Sequence, residues 1–330
     1  METRSRAKRR KMSKLTTASF DDLPDEIILQ IFTNLEFYDN ASASQVCKRW
    51  KLLCEDQSIW LKINLNNRRV PVKFIEKALR HGCHYLGFCK SGGIKGVASL
   101  YSGTPSFSIK NQLKYLSISY GSSYPYGELM KNLLGATQSL EKLSIQCDPW
   151  DNMFNFQPNI IQNSQTLTVL RIASFKRLTL ATVELIFNNC LELVEVSLHD
   201  CGMSDGALSF LCNNLNHKIK KLSLYRIEAF GIFGQYDYIL EEKHVIALAN
   251  RYPQLEELDL GGPDNVISEE ALSAIIEKLQ NLVKLKLPDT VQIRFPKLLE
   301  LQSMTNLKYL WVHVDLDVDP IDSIIEEYSD

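Results

Sequence analysis

The stretch CLELVEVSLHDC, at residues 190–201, contains the pattern that decides the fold. Within it, the segment LVEVSLH (residues 193–199) carries apolar side chains at offsets 0, 3 and 5. Offsets 3 and 5 fall on one face of a short strand, because successive side chains of a strand point to opposite faces. The stretch therefore predicts a strand that buries one of its faces.

The same pattern recurs along the chain, as LKYLSIS at 113, LEKLSIQ at 140, LTVLRIA at 167, IKKLSLY at 219, LEELDLG at 255, LVKLKLP at 282 and LKYLWVH at 307, with a weaker copy, CHYLGFC, at 83. Successive copies begin 30, 27, 27, 26, 26, 36, 27 and 25 residues apart, and a helical periodicity follows, as at Val183, Ile186 and Phe187. One such unit does not fold alone, because ordering about 26 residues costs about 40 kcal/mol at roughly 1.5 kcal/mol each. The copies are therefore predicted to stack into a solenoid.

A different pattern, helical throughout, occupies residues 20–64. In LPDEIILQIFTNL (residues 23–35), Pro24 is suited to the first turn of a helix, and Asp25 and Glu26 place carboxylates at its positive end. Apolar residues at helical spacing follow in this helix and in a later segment: Ile27, Ile28, Ile31, Phe32, Leu35, Val46, Cys47, Trp50, Leu53 and Cys54. About 45 residues do not bury so many large side chains internally, so part of this surface is expected to bind a partner.

These motifs resemble two known families. The order LPDEIILQIFTNL, VCKRW (residues 46–50) and DQSIW (residues 56–60) resembles an F-box, and the repeats resemble leucine-rich repeats in their long strand–helix form. An F-box docks on a Skp-type adaptor, which connects it to the cullin and RING subunits of a ubiquitin ligase. The resemblance implies that the adaptor-binding surface is formed or supported by Leu23, Pro24, Ile27, Ile28, Ile31, Phe32, Leu35, Val46, Cys47 and Trp50. Asn40 and Ala41 depart from the family's apolar pair, which predicts weaker docking or weaker local packing.

The expected layout follows from these two resemblances. A basic, disordered tail (1–19) precedes an F-box module (20–64), an α/β leucine-rich-repeat solenoid (65–314) and an acidic C-terminal cap or tail (315–330). Trp60, Ile63 and Leu65 repeat the 0, 3, 5 spacing and are interpreted as a first partial repeat. F-box/leucine-rich-repeat proteins are non-catalytic substrate receptors of SCF-type ubiquitin ligases, so the resemblance implies this role and proteasomal degradation of a protein substrate. The alternative is a repeat scaffold for protein interactions that has no ligase role.

Substrate binding is expected on the concave side of the solenoid and along one of its rims. Residues that flank the apolar strand positions, together with aromatic residues of a long loop around 227–238, give the candidates Tyr225, Phe233, Tyr236, Lys284, Lys286, Tyr309, Trp311 and His313. Exposed aromatic side chains beside cations suit the capture of a peptide or phosphopeptide. Two alternatives stay open: the acidic tail covers Trp311, and the loop aromatics close the ends of the core.

Metal and enzyme chemistry have weak support in the sequence. HGCHYLGFC (residues 81–89) resembles a zinc knuckle, yet Cys83, Leu86 and Phe88 occupy the apolar repeat offsets. DLDVDPIDSIIE (residues 315–326) resembles a calcium loop, but Pro320 stands where the sharp turn needs glycine. These motifs therefore predict no cofactor, no metal and no active site. The resemblance to leucine-rich repeats implies that Cys190 and Cys201 are small buried core residues and not metal ligands.

Charge and composition limit the compartments and the classes of partner that are expected for the protein. The chain has a formal net charge of -2 and eight cysteines without a C-x-x-C pair, so free thiols in a reducing compartment are expected. No apolar run is long enough to span a membrane, and neither a membrane nor a nucleic acid is expected as a partner. Lys8, Arg9, Arg10 and Lys11 form a nuclear-import pattern, which predicts a nuclear and/or cytoplasmic location, the alternatives being a solvated tail or a weak nucleic-acid contact.

Overall fold

The computed structural model describes residues 20–65, 72–88, 112–119, 133–146, 160–161, 163–229, 240–262, 267–289 and 293–313. The import pattern (Lys8, Arg9, Arg10 and Lys11) and the loop residues Phe233 and Tyr236 lie outside these ranges. The chain divides into two compact units, Met1–Leu61 and Lys62–Asp330.

The first unit is helical. A 3-10 turn at Phe20–Asp22 precedes four helices: α1 (Asp25–Thr33), α2 (Phe37–Ala43), α3 (Lys48–Leu53) and α4 (Gln57–Trp60). Asp25 and Glu26 occupy the first turn of α1, as the sequence predicts, and favour the helix through its dipole. Pro24 lies one residue before the helix rather than inside its first turn, and its carbonyl accepts the N–H groups of Ile27 and Ile28.

The second unit alternates short strands with helices along most of its length. Its strands are β1 (Lys62–Asn64), β2 (Tyr85–Phe88), β3 (Tyr115–Ser119), β4 (Lys142–Gln146), β5 (Val169–Ala173), β6 (Glu195–His199), β7 (Gly202–Met203), β8 (Lys221–Tyr225), β9 (Glu228–Ala229), β10 (Glu257–Asp259), β11 (Lys284–Asp289) and β12 (Tyr309–His313). The helices in the described part of this unit are α5 (Val72–Arg80), α6 (Leu180–Asn189), α7 (Asp205–Asn214), α8 (Glu242–Arg251), α9 (Glu269–Lys278) and α10 (Phe295–Leu299), and a 3-10 helix follows at Glu300–Ser303.

Ten of the strands form one parallel sheet, in the order β1-β2-β3-β4-β5-β6-β8-β10-β11-β12. Neighbouring strands are in the register that the 0, 3, 5 pattern requires, so that one buried residue of each of the first nine strands in this order forms a continuous row: Ile63, Leu86, Leu116, Leu143, Leu170, Val196, Leu222, Leu258 and Leu285. In β12 the equivalent residue, Leu310, is only partly buried. The structure therefore confirms the predicted solenoid of short parallel strands and helices, preceded by a helical module.

Side-chain caps fix where the helices of the repeats begin. Thr179, Ser204 and Ser268 precede α6, α7 and α9, and each accepts a hydrogen bond from the backbone N–H three residues later. The faces predicted from the helical periodicity are buried, including Val183 and Ile186 in α6. Among the residues that the structure describes, no helix combines the length and the apolar character that crossing a membrane requires.

Two very short strands were not predicted. β7 and β9 pair in parallel and form a second, two-stranded sheet. Each follows a residue with positive φ, Asp200 before β7 and Arg226 before β9, at equivalent places in successive repeats. A two-residue strand contains no periodicity that a sequence pattern could reveal.

Candidate functional site

The start of α1 is held by an arginine of α3. Arg49 donates from one terminal nitrogen to the backbone carbonyl of Leu23 at 2.5 Å, and from Nε to Oδ1 of Asp25 at 2.7 Å. The ion pair is partly solvated, so its free energy is small, about 0–1 kcal/mol. Its effect is positional, because it fixes the residues around Pro24 relative to α3.

The inner side of the helical module supports this arrangement. Ile28 and Phe32 are buried, and the ring of Trp50 meets Phe32 edge to face at a centroid distance of 5.3 Å. Asn40 is also buried, and its side-chain amide donates to the backbone carbonyl of Phe32 at 2.9 Å. This polar residue thereby links α2 to the C-terminal end of α1, where the Phe32 carbonyl also accepts the backbone N–H of Leu35 at 3.1 Å.

Several large apolar side chains of the module are exposed. The exposed fraction is 42% for Ile27, 38% for Leu35, 65% for Val46, 75% for Leu52 and 51% for Phe20. We refer to these five residues as the exposed apolar set. Exposed apolar side chains in such a small unit are typical of a protein–protein interface.

The ten residues that the F-box resemblance implies therefore divide into three groups. Pro24, Ile27, Leu35, Val46 and Cys47 are exposed; Leu23, Ile31 and Trp50 are partly buried; Ile28 and Phe32 are buried and can act only as support.

Sequence reasoning missed Phe20, Leu52 and Arg49. The adjacent leucines Leu52 and Leu53 were a usable signal, because neighbouring residues of one helix do not share a face.

The exposed face of the large sheet is the second candidate site. It consists of the strand positions that alternate with the buried row, and we call it the open sheet face. Register places Glu195, Lys221, Glu257 and Lys284 side by side on β6, β8, β10 and β11. Acidic and basic side chains therefore alternate across four neighbouring strands.

Ion pairs neutralise most of the charge in this region. Arg171 contacts Glu195 at 2.6 Å, Lys286 contacts Asp259 at 3.2 Å, and Lys221 is paired with Glu257. These contacts are partly exposed, so they orient side chains more than they stabilise the fold. In the part of the chain that the structure describes, Lys284 has no carboxylate within ion-pair distance.

His199 and Ser223 lie beside the ion pairs on the open sheet face. His199 Nε2 is 2.9 Å from Ser223 Oγ, and the imidazole packs against the ring of Tyr225 at a centroid distance of 5.3 Å. Burial lowers the pKa of His199, although the carboxylate of Asp259 opposes this effect. The neutral imidazole is therefore favoured at neutral pH.

These side chains surround a shallow depression of about 180 Å³, whose lining includes Arg171, His199, Ser223, Lys284 and Lys286. Cavities that enclose small-molecule ligands are typically larger, about 300–1,000 Å³. The depression is open and lined with charged groups, so its size suits one side chain of a bound protein rather than an enclosed cofactor.

The predicted substrate residues are only partly brought together. Lys284 and Lys286 line the depression, and Tyr225 lies next to it against His199. Tyr309 and Trp311 are exposed on the neighbouring strand β12, opposite Lys284 and Lys286. The backbone of His313 ends β12, but its side chain lies outside the described part of the structure, as do Phe233 and Tyr236.

The four cysteines that the structure describes in the repeats are core residues. Cys83, Cys190, Cys201 and Cys212 are buried, and burial raises the pKa of each thiol to about 12. Neutral thiols of this kind are poor nucleophiles and poor metal ligands. Among the described residues, no three side chains of His, Cys, Asp or Glu are grouped closely enough to hold a metal ion.

Comparison with known proteins supports the interpretation of the first unit. Residues 20–66 match the F-box-like family. F-box/LRR-repeat protein 12 is 42% identical over 63 residues in Bos taurus and 40% in Homo sapiens, which is 19% of this chain and 19% of either relative. F-box/LRR-repeat protein 21 of Mus musculus is 23% identical over 221 residues, covering 61% of this chain and 50% of the relative. The aligned parts thus span from about a fifth to half of these relatives.

Two solved structures resemble parts of the chain at low identity. A crystal structure of an internalin from Listeria monocytogenes has a TM-score of 0.37 and 16% identity, covering 73% of this chain and 65% of that one. The TLR13–ssRNA13 complex has a TM-score of 0.33 and 16% identity, covering 72% and 37%. The F-box match and the names of the curated relatives show that the aligned parts of this chain are similar to F-box/leucine-rich-repeat proteins.

Proposed function

We propose that this chain is the substrate-recognition subunit of an SCF-type ubiquitin ligase. The first unit binds a Skp-type adaptor, through which cullin and RING subunits are recruited. The open sheet face binds a protein substrate and presents it for ubiquitination and proteasomal degradation. In this role the chain needs no active site of its own, because the ubiquitin transfer occurs on its partners.

One observation carries the proposal. The segment that matches the F-box-like family exposes Ile27, Leu35 and Val46, while its buried residues Ile28 and Phe32 hold the helices in place. Full burial of one such side chain stabilises a complex by about 1.5–3 kcal/mol. The exposed apolar set therefore has enough apolar surface to bind a helical partner.

The test is co-expression of the full chain with a Skp-type adaptor, followed by size-exclusion chromatography and measurement of the dissociation constant. The double variant Ile27→Asp/Val46→Asp removes two apolar contacts, about 3 kcal/mol or more together. Because 1.4 kcal/mol corresponds to a tenfold change, binding should weaken at least a hundredfold.

The matched control is Leu191→Asp, which places the same charge at an exposed leucine in the turn after α6. Its affinity for the adaptor should equal that of the wild type. If the wild type does not bind any Skp-type adaptor, the repeat scaffold without a ligase role becomes the better account.

Location in the nucleus and/or cytoplasm is part of the same proposal. It rests on Lys8, Arg9, Arg10 and Lys11, a cationic cluster of the kind that binds acidic grooves of import receptors. Replacing all four residues with glutamine should shift a fluorescent fusion of the full chain out of the nucleus.

A further inference from the structure

The first four strands of the open sheet face form a continuous stretch without acidic residues. Strands β1 to β4 contain no aspartate or glutamate, whereas β6, β10 and β11 contain Glu195, Glu257, Asp259 and Asp289. Lys62 and Lys142 are exposed on β1 and β4. Within the described residues neither lysine has an ion-pair partner, in contrast to Lys114, which contacts Glu141 at 2.9 Å just before β4.

Two stacked tyrosines lie between these lysines. Tyr85 on β2 and Tyr115 on β3 are neighbours in register, and their rings are parallel within 4° at a centroid distance of 4.5 Å. The ammonium group of Lys62 lies 5.4 Å from the centre of the Tyr85 ring, which is within the range of a cation–π contact. Stacking and the cation–π contact thus order Lys62, Tyr85 and Tyr115, and register places Lys142 of β4 next to Tyr115. We call Lys62, Tyr85, Tyr115 and Lys142 the cationic tyrosine row.

A glycine makes room for this arrangement. A Cβ atom added at Gly87 would lie 3.3 Å from the Tyr85 hydroxyl oxygen and 3.4 Å from a ring carbon. The ring of Tyr85 therefore lies over the backbone of its own strand, beside Ser117 of β3. A larger residue at 87 would displace this ring.

The chemistry of the cationic tyrosine row suits an anion. One face of each stacked ring is covered by the other, so part of what remains is ring edge, which carries the positive end of the aromatic quadrupole. Tyrosine hydroxyl groups and lysine ammonium groups are hydrogen-bond donors. Since β1 to β4 hold no acidic residue, nothing on these strands competes with an incoming carboxylate.

We propose that the cationic tyrosine row is a second substrate-binding site, which takes an extended acidic segment of the protein substrate. The inference rests on the proposed function and names the chemistry of the substrate. It adds residues of β1 to β4 to the candidates Lys284, Lys286, Tyr309 and Trp311 at the other end of the sheet.

The spacing of the acidic groups follows from the sheet. Three inter-strand steps of about 4.8 Å separate Lys62 from Lys142, about 14 Å in all. An extended peptide advances about 3.3 Å per residue and alternates its side chains, so residues i and i+4 face the same side about 13 Å apart. Acidic residues four apart therefore fit both lysines.

The test measures the binding of a fluorescein-labelled hexaglutamate peptide to the full chain by fluorescence anisotropy at low ionic strength. All proteins carry glutamine at positions 8–11, so that the basic tail contributes little. The variant Lys62→Glu/Lys142→Glu should lower the affinity at least tenfold, and Lys62→Arg/Lys142→Arg should stay within threefold of the parent. The matched control Lys73→Glu/Lys278→Glu makes the same charge change on exposed lysines of α5 and α9 and should alter binding less than twofold.

Equal loss in the control and test variants would overturn the proposal, because it would show a general charge effect. Binding unchanged by Lys62→Glu/Lys142→Glu would overturn it as well. If an oligothymidylate of six nucleotides binds through the same lysines more tightly than hexaglutamate, the assignment to an acidic protein segment is wrong. Thermal melting followed by circular dichroism establishes whether each variant is folded. If Lys62→Glu/Lys142→Glu is not folded, Lys62→Gln/Lys142→Gln takes its place in the test.

A second comparison tests the spacing. Two Gly/Ser peptides of equal length and charge carry three glutamates, either consecutive or four residues apart. The spaced peptide should bind at least threefold more tightly, and equal affinities would contradict the two-lysine arrangement.

Adaptor binding is measured on the same proteins and should not change. Failure of the peptide tests with intact adaptor binding rejects only this inference, whereas loss of adaptor binding in the parent rejects the proposed function.

Discussion

Gly202, the first residue of β7, shows how closely successive repeats approach each other. A Cβ atom at this position would lie 2.2 Å from the backbone carbonyl oxygen of Lys176 in the preceding repeat. The backbone of Gly202 also donates to the carbonyl of Phe175 and accepts from the N–H of Leu178, at 2.9 and 2.8 Å. With hydrogen bonds on both sides, the chain has little freedom to move away from an added methyl group.

Replacing Gly202 with alanine should therefore lower the free energy of unfolding by about 1–3 kcal/mol, the usual cost of overpacking. Gly206, which lies in α7, provides the matched control. A Cβ atom added there would meet only Cδ2 of Leu180, at 3.9 Å. Gly206→Ala should raise the free energy of unfolding by about 0.5–1 kcal/mol, because alanine favours a helix over glycine. Urea unfolding of both variants measures the difference; similar effects at the two positions would mean that Gly202 is not constrained by Lys176.

At the scale of single elements, the N-terminus of α8 depends on a neutral histidine. His244 is buried, and its Nδ1 accepts the backbone N–H of Glu241 at 3.1 Å. Its Nε2 lies 3.1 Å from Ser209 Oγ and 3.2 Å from Asp205 Oδ1, both on α7. One imidazole thus caps α8 and joins it to the helix of the preceding repeat. Protonation of Nδ1 would remove the bond to Glu241.

Burial lowers the pKa of His244, and the nearby carboxylate of Asp205 opposes this change. Since the folded state binds the proton less tightly than the unfolded state, the contribution of His244 to stability is complete above its unfolded pKa, about 6.5. It is lost progressively as the pH falls below that value toward the folded pKa. The urea midpoint of the wild type should therefore fall more between pH 7.5 and 5.5 than that of His244→Asn, which keeps an acceptor for Glu241 but does not titrate. Parallel changes in the two proteins would refute this role.

Elements differ in how well the sequence predicts them. The strands of the large sheet follow from the 0, 3, 5 pattern, because alternation and burial act within a few consecutive residues. β7, β9 and the close contact at Gly202 depend on loops of neighbouring repeats, which no local pattern contains. Asn40 is a similar case, since its hydrogen bond to Phe32 joins residues of two helices.

At the scale of the whole molecule, the sequence predicts the order of the parts better than the sites. The F-box pattern identifies the helical module, but the distinction between exposed Val46 and buried Ile28 requires packed helices. The repeat predicts which residues lie on the open sheet face. It does not predict which charges are paired there, because the pairs Arg171–Glu195 and Lys286–Asp259 join different strands. The cationic tyrosine row likewise depends on the register of four strands, which no single repeat contains.

The most direct test of the proposed function is hydrogen–deuterium exchange of the full chain with and without a Skp-type adaptor. The account predicts that the adaptor slows exchange in α1 and in residues 46–53, which carry Ile27, Val46 and Leu52 of the exposed apolar set. Amides of the large sheet should exchange at the same rate in both samples. Slowed exchange confined to the sheet, or no change in residues 23–53 at saturating adaptor, would contradict the assignment of this surface to adaptor binding.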